Sequence, residues 1–187
     1  MVKLETERLL LREWTEDDLA DMIEGLNNIE VAKWLAFVPN PYTEEDGKKW
    51  ISYCQEQSKK EKRTFYEFAI ALKETEKVIG SVSLVITDEA AGFAGGGIWL
   101  NAKYHGMGYG GEAFAKRTEF AFAELNIQKL ENGFFQGNTQ SEKMQKQIGY
   151  KVGGIRKNAY HCLADGKWKD ECVTVMTKED WENRKER

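Results

Sequence analysis

The 187-residue chain has two prolines, three cysteines and no apolar run approaching the ~20 residues a bilayer span needs. Its first residues, Met1-Val2-Lys3-Leu4-Glu5, lack the apolar core of a signal peptide. Cys54, Cys162 and Cys172 are odd in number and fit no metal-ligand spacing, so no metal is expected. Their bland reading is reduced thiols in a cytoplasmic protein, with an inter-chain or hairpin disulfide as the alternative. Basic residues are not in excess: the formal net charge is −4, which argues against a nucleic-acid binder. Repeats and low-complexity linkers are missing too. What remains is one domain over residues 1–187, large enough to bury roughly 70% of its unfolded surface. Six Trp, seven Tyr and nine Phe supply a core.

Local patterns divide the chain. Leu9-Leu10-Leu11 reads as a first strand. Thr15 and Asp18 form a near capping box before a helix that carries Leu19, Met22, Ile23 and Leu26 on one face. A short helix should hold Val31, Trp34 and Leu35, and Pro39 and Pro41 break the chain after it. Thr43-Glu44-Glu45-Asp46 opens another helix, expected to run to about Lys60. Residues 65–72 and 78–86 read as an antiparallel pair, residues 92–100 as the next strand, and residues 129–135 as a further one. A helix over residues 139–147 and a hairpin over residues 150–176, turning at Asp165-Gly166, complete the fold. Residues 178–187 read as a charged tail with no role beyond solubility.

The densest chemical signal is His105-Gly106-Met107-Gly108-Tyr109-Gly110-Gly111, set between an apolar strand and an amphipathic helix carrying Ala113, Phe114, Phe120, Ala121, Phe122 and Leu125. A glycine-rich turn opening a helix presents unpartnered N–H groups at the positive end of the helix dipole, a site for phosphate. No Lys-Ser or Lys-Thr pair closes the loop, which excludes a P-loop. Gly106, Gly108 and Gly111, with Glu131 twenty residues on, match the dinucleotide fingerprint in spacing. The loop lies past mid-chain, however, and no βαβ unit precedes it.

Four ordered pieces make the chain resemble the GNAT superfamily of N-acetyltransferases, in the Rim-type branch of ribosomal-protein-alanine acetyltransferases. They are Thr6-Glu7-Arg8-Leu9-Leu10-Leu11-Arg12; Gly97-Ile98-Trp99-Leu100; Gly106 through Ala113; and Asn138-Thr139-Gln140-Ser141 followed by Ile148-Gly149-Tyr150. Gly166, Trp168 and Asp170 resemble the branch's last hairpin. The resemblance implies an α/β (α+β) domain with a mixed, mostly antiparallel, splayed sheet flanked by helices. It implies acetyl-CoA as cofactor and transfer to a primary amine by direct attack in a ternary complex, the acceptor being a protein N-terminus or a small molecule. The run Gly95-Gly96-Gly97 suits a strand that leaves its neighbour.

On that resemblance, backbone groups of Ile98, Trp99, Leu100 and Asn101 bind pantetheine, with the oxyanion donor near Ile98 or Trp99. The amides of Gly106, Met107, Gly108, Tyr109, Gly110 and Gly111 hold the pyrophosphate, and Asn138 bonds a pantetheine amide. Lys143 and Lys146 either meet the 3′-phosphate or form a solvated face. Ser141 matches the serine taken to protonate the thiolate. His105 supports the loop. Three positions depart from the family: Gly95 where many relatives carry Glu, Gln145 where other branches place Tyr, and Tyr160 where an acidic base is expected. Tyr160 and His161 are the substitutes, of which strand alternation lets only one face the site, and Glu67 is an outside candidate. The missing carboxylates leave open a CoA-binding regulatory protein without turnover. A homodimer is possible; nucleic-acid and membrane partners are not expected.

Overall fold

The computed structural model describes residues 2–185. Nine strands form one sheet in the order β1-β2-β3-β4-β5-β7-β9-β8, with β6 paired to β4 off this path. The strands are β1 (Leu4–Glu5), β2 (Leu9–Arg12), β3 (Phe65–Leu72), β4 (Val78–Asp88), β5 (Phe93–Gly95), β6 (Ile98–Leu100), β7 (Lys129–Phe135), β8 (Lys151–His161) and β9 (Trp168–Thr177). All pairings are antiparallel except β5 with β7. The mixed, mostly antiparallel sheet expected from the sequence is therefore present.

Six helices cover the sheet: α1 (Leu19–Leu26), α2 (Ile29–Ala32), α3 (Glu44–Ser58), α4 (Tyr109–Ala123), α5 (Thr139–Ile148) and α6 (Lys178–Lys185). Thr43 and Asp46 close a capping box on α3. Thr15 and Asp18 close another, on a single 3-10 turn that leads into α1. On one face of the sheet Phe114, Phe120 and Phe122 of α4 pack on Phe68, Ile70, Leu84 and Leu130. On the other, Met22, Leu26, Ile51 and Cys54 pack on Ala69, Ala71 and Val78, with Trp99 against them. Successive β3 side chains thus enter different cores, which is why that strand reads as an unbroken apolar run rather than an alternation.

Two expectations need correction. The strand over residues 92–100 is broken into β5 and β6, because Gly95 and Gly96 pass too close to other backbone for a regular strand to continue. A Cβ on Gly95 would lie 2.1 Å from the Glu131 carbonyl oxygen, and one on Gly96, whose φ is 156°, 2.1 Å from that of Ser83. The tail is also not mere solubilising charge. It forms α6, and the Trp181 ring lies 5.6 Å from that of Phe122, extending the α4 core. Residues 186–187 lie outside the described residues.

The glycine run gives a paired test. Gly95→Ala should lower unfolding stability by about 2–3 kcal/mol through backbone overlap, measured by denaturant titration. Gly97→Ala, where a Cβ meets nothing within 4 Å, should change it by less than about 1 kcal/mol. Equal losses would refute this account of the break.

Candidate active site

The break opens a wedge. β5 pairs with β7 through Phe93 with Lys129 and Ala94 with Leu130, and the pairing then stops. Beyond it β6 keeps only β4 as a partner. The Ser83 N–H donates to the Gly97 carbonyl and the Asn101 N–H to the Ile79 carbonyl. In an antiparallel ladder alternate residues point their backbone groups to the same side. Gly97, Trp99 and Asn101 therefore face β4, while Ile98 and Leu100 face the wedge. His105 donates from Nε2 to the Leu100 carbonyl at 2.9 Å, as expected of a residue that supports the loop. Among the described residues the Ile98 N–H and C=O and the Leu100 N–H remain without a protein partner. Of the four residues expected to offer backbone groups here, Trp99 faces β4, and Asn101 gives its N–H to Ile79 of β4 and accepts at its carbonyl from the Tyr104 N–H. The Trp99 side chain sits over Gly25 of α1, and Asn101 accepts a bond from the Lys103 N–H.

At the wide end of the wedge stands the glycine loop. Gly106 and Gly108 have φ of 75° and 83°, left-handed values that glycine adopts at least cost. Gly108 caps α4. Among the described residues the amides of residues 106–111 donate to no protein acceptor, and the first intrahelical bond is Glu112 N–H to the Gly108 carbonyl. Gly106, Met107 and Gly108 are exposed. Six consecutive free donors at the start of a 15-residue helix are a cradle for an anion.

The cradle is held from outside. Arg8 donates to the Met107 carbonyl at 3.0 Å, pairs with Glu112 at 2.6 Å and lies 4.3 Å over the Tyr109 ring. Thr6 and the Arg8 N–H also donate to Glu112. Burial pushes the Glu112 carboxyl up, but these hydrogen bonds and the Arg8 charge outweigh it and hold the group below its usual range. Its negative charge, close to the anion cradle, is thus compensated. The opening Thr-x-Arg segment, read from the sequence only as a strand signature, has this job.

A third wall is α5. Asn138 caps it, its Oδ1 accepting from the Ser141 N–H at 3.1 Å. The cap engages the Asn138 carbonyl oxygen, a role the sequence reading did not assign. A Cβ on Gly110 would lie 3.3 Å from Leu100 Cδ1, 3.5 Å from Met144 Sδ and 4.0 Å from Ile98 Cδ1. β6, the first turn of α4 and α5 therefore meet at Gly110. Met144 is one helical turn from Ser141, on the same face. Lys143 is exposed, and Lys146 pairs with Glu142 at 2.5 Å.

Tyr160 and His161 part company as alternation requires. The Tyr160 ring contacts Phe37 and Phe135 at 5.8 and 5.9 Å, and burial raises its hydroxyl pKa. Such a phenol is a poor proton acceptor at neutral pH. His161 is exposed, donates to the Gly166 carbonyl at 3.0 Å and leans on Trp168. Neither is the evident base.

The unusual carboxyl is Glu67 on β3. It is buried, accepts a hydrogen bond from Ser81, and has no cationic partner among the described residues. Burial pushes its pKa up to about 7, the Ser81 bond opposing. Its ladder partner is Ser83, whose hydroxyl accepts from the Gly97 N–H at the break. Glu67 is thus two strand spacings, roughly 10 Å, from the wedge.

These features match a known family. The profile described as Acetyltransferase (GNAT) domain covers residues 8–151. The chain belongs to the GNAT acetyltransferase family. Its relatives include the probable N-acetyltransferase YjcK of Bacillus subtilis (strain 168), 32% identical over 141 residues, 74% of this chain and 75% of that one. Among solved structures, the ribosomal-protein-S5-alanine acetyltransferase of Vibrio fischeri superposes with a TM-score of 0.75 at 21% identity. The match covers 97% of this chain and 99% of that one. The spermidine N-acetyltransferase of Vibrio cholerae, in complex with CoA and spermine, gives 0.78 at 16% identity over 95% and 100%. This GNAT protein is an acetyltransferase, and acetyl-CoA is the donor that its family uses. Among the described residues no helix is long and apolar enough to cross a membrane.

Glu67 yields a stability prediction independent of activity. A carboxyl whose folded pKa of about 7 exceeds its ordinary 4.5 keeps its proton longer in the native state. The fold therefore loses stability as pH rises through that window, on the order of 3 kcal/mol in all. Glu67→Gln should match wild type near about pH 4.5 and melt higher than wild type near about pH 8. A melting difference that stays constant across this range would contradict it.

Proposed function

We propose that the protein is an N-acetyltransferase that passes the acetyl group to a primary amine by direct attack, with both substrates bound together. The observation that carries this reading is the run of free amides at residues 106–111, opening directly onto a wedge whose far wall is the start of α5. An oligopeptide cradle of this kind suits a diphosphate. The open backbone groups of Ile98 and Leu100 suit an extended amide chain laid alongside β6 as a further strand. Asn138, whose side-chain N–H groups donate to no protein acceptor among the described residues, starts α5 beside it.

Bound acetyl-CoA supplies an activated thioester. The residues around it do the rest. The Ile98 N–H, pointing into the wedge, is the donor for the carbonyl oxygen as negative charge grows on it. Ser141, in the first turn of α5, faces the sulfur, where the helix dipole also favours negative charge. Glu67 has the proton affinity suited to accepting the amine proton near neutrality. At roughly 10 Å it must act through water. It takes the part that the sequence suggested for Tyr160 or His161.

A base of pKa about 7 working at a distance suits amines that are already partly neutral. An α-amine with pKa ~7.8 is neutral in about a quarter of molecules at pH 7.4, against about one per thousand for a lysine ε-amine. The acceptor is therefore an α-amine, of a protein N-terminus or a small molecule, or another amine of low pKa. In a thiol-release assay across amine classes, α-amines should turn over faster than lysine side chains. Faster lysine acetylation would contradict the acceptor class, and no turnover with any amine would contradict the function.

A further inference from the structure

Gln145, one turn along α5, donates from Nε2 to Ser141 Oγ at 3.1 Å. The other end of that amide, Oε1, accepts from the hydroxyl of Thr174 on β9. Gln145 and Thr174 are 2% and 1% exposed, so water does not compete for these groups. A hydroxyl has one hydrogen to give. Gln145 fills one of the two lone pairs of Ser141 Oγ, and among the described residues the Ser141 hydrogen donates to no protein acceptor.

A separate buried polar pair lies beside this row, with no side-chain hydrogen bond joining the two among the described residues. Thr174 is paired directly with Asn132 of β7. Asn132 accepts from Nη2 of Arg117 at 3.0 Å. Arg117 is wholly buried, no carboxylate pairs with it among the described residues, and its Nε and Nη1 have no partner. Its guanidinium lies 4.0 Å over the Phe114 ring, and burial pulls its pKa below the usual range, with Tyr150 opposing. The bonds from Thr174 to Gln145 and from Gln145 to Ser141 share one sense: each donor points toward Ser141.

We propose that Thr174 and Gln145 are positioning residues that hold the Ser141 hydroxyl as a fixed donor to the coenzyme sulfur. The inference rests on the acetyl-transfer reading above and goes beyond it by giving Gln145 and Thr174 a task. The balance of the step is simple. The amine nitrogen forms the new bond to the carbonyl carbon, the C–S bond breaks, and its electron pair stays on sulfur. The amine proton leaves toward Glu67 or water. Ser141 keeps its proton and stabilises the thiolate by hydrogen bonding, so no alkoxide has to form.

The test uses the thiol of bound CoA, titrated through the ultraviolet absorbance of its thiolate, alongside steady-state kinetics. In the wild-type complex the thiol should ionise at lower pH than in free CoA. Thr174→Val should move the bound thiol about one pKa unit back toward the free value and lower kcat about tenfold. The KM for acetyl-CoA should change less than about twofold. Thr174→Ser should restore both, which a role in packing alone would not produce. Adding Thr174→Val to Ser141→Ala should have no further effect on either readout. Gln145→Glu, which can accept from Thr174 but cannot donate to Ser141, should behave as Thr174→Val does.

If Ser141→Ala moves the thiol and Thr174→Val does not, the relay is wrong and the Ser141 assignment stands. If neither moves it, both are wrong. An additive loss in the double variant would also overturn the relay. Failure of the wild-type protein to bind CoA would overturn the relay together with the functional reading beneath it.

Discussion

The structure depends on one interruption: the parallel pairing of β5 with β7 ends after Ala94 and Leu130. Had it continued, Ile98 and Leu100 would spend their outward backbone groups on β7 and no cleft would exist. Gly95 passes against the Glu131 carbonyl and Gly96 against that of Ser83, at distances no side chain tolerates. This close approach also accounts for the residue at position 95. A glutamate there would need a Cβ where the β7 backbone already stands. In the proposed reaction the proton acceptor comes from another strand, β3, which carries the buried Glu67.

In the proposed function the coenzyme meets chiefly backbone groups rather than side chains. Amides of residues 106–111 and of Ile98 and Leu100 carry no information about which amine is to be acetylated, and they can be kept whatever the acceptor. Their geometry is maintained by contacts from far along the chain, chiefly the Arg8–Glu112 pair and the His105 bond to Leu100. The aromatic residues Phe37, Phe135 and Tyr160 gather on the hairpin side, where ring contacts tie the segment after α2 to β7 and β8. A scaffold divided in this way can exchange acceptors while keeping one donor.

How much of this could be read from residues alone depends on the kind of signal. The glycine loop was visible because left-handed turns need glycine and helix starts need free donors. The helix starts at Thr15 and Thr43 were visible because a capping box is a local pattern. The fault between β5 and β6 was visible only as a run of three glycines, since strand periodicity cannot show where a strand leaves its neighbour. Glu67 stayed obscure because β3 is buried on both faces, so nothing in its pattern separates a satisfied glutamate from a strained one. Gln145 looked like a lost tyrosine. The use proposed for it rests on Thr174 of β9, 29 residues downstream, whose hydroxyl donates to its amide oxygen. Trp181 was hidden in a charged context that outweighed its single ring.

The amide resonances of residues 106–111 offer the most direct measurement. Titration of the uniformly labelled protein with CoA, followed by nitrogen–proton correlation spectra, should shift these six amides and those of Ile98 and Leu100 together. Those of Trp99 and Asn101, already bonded to β4, should move least. If CoA binds while the loop amides keep their positions, the diphosphate is held elsewhere and the account of this cleft is wrong.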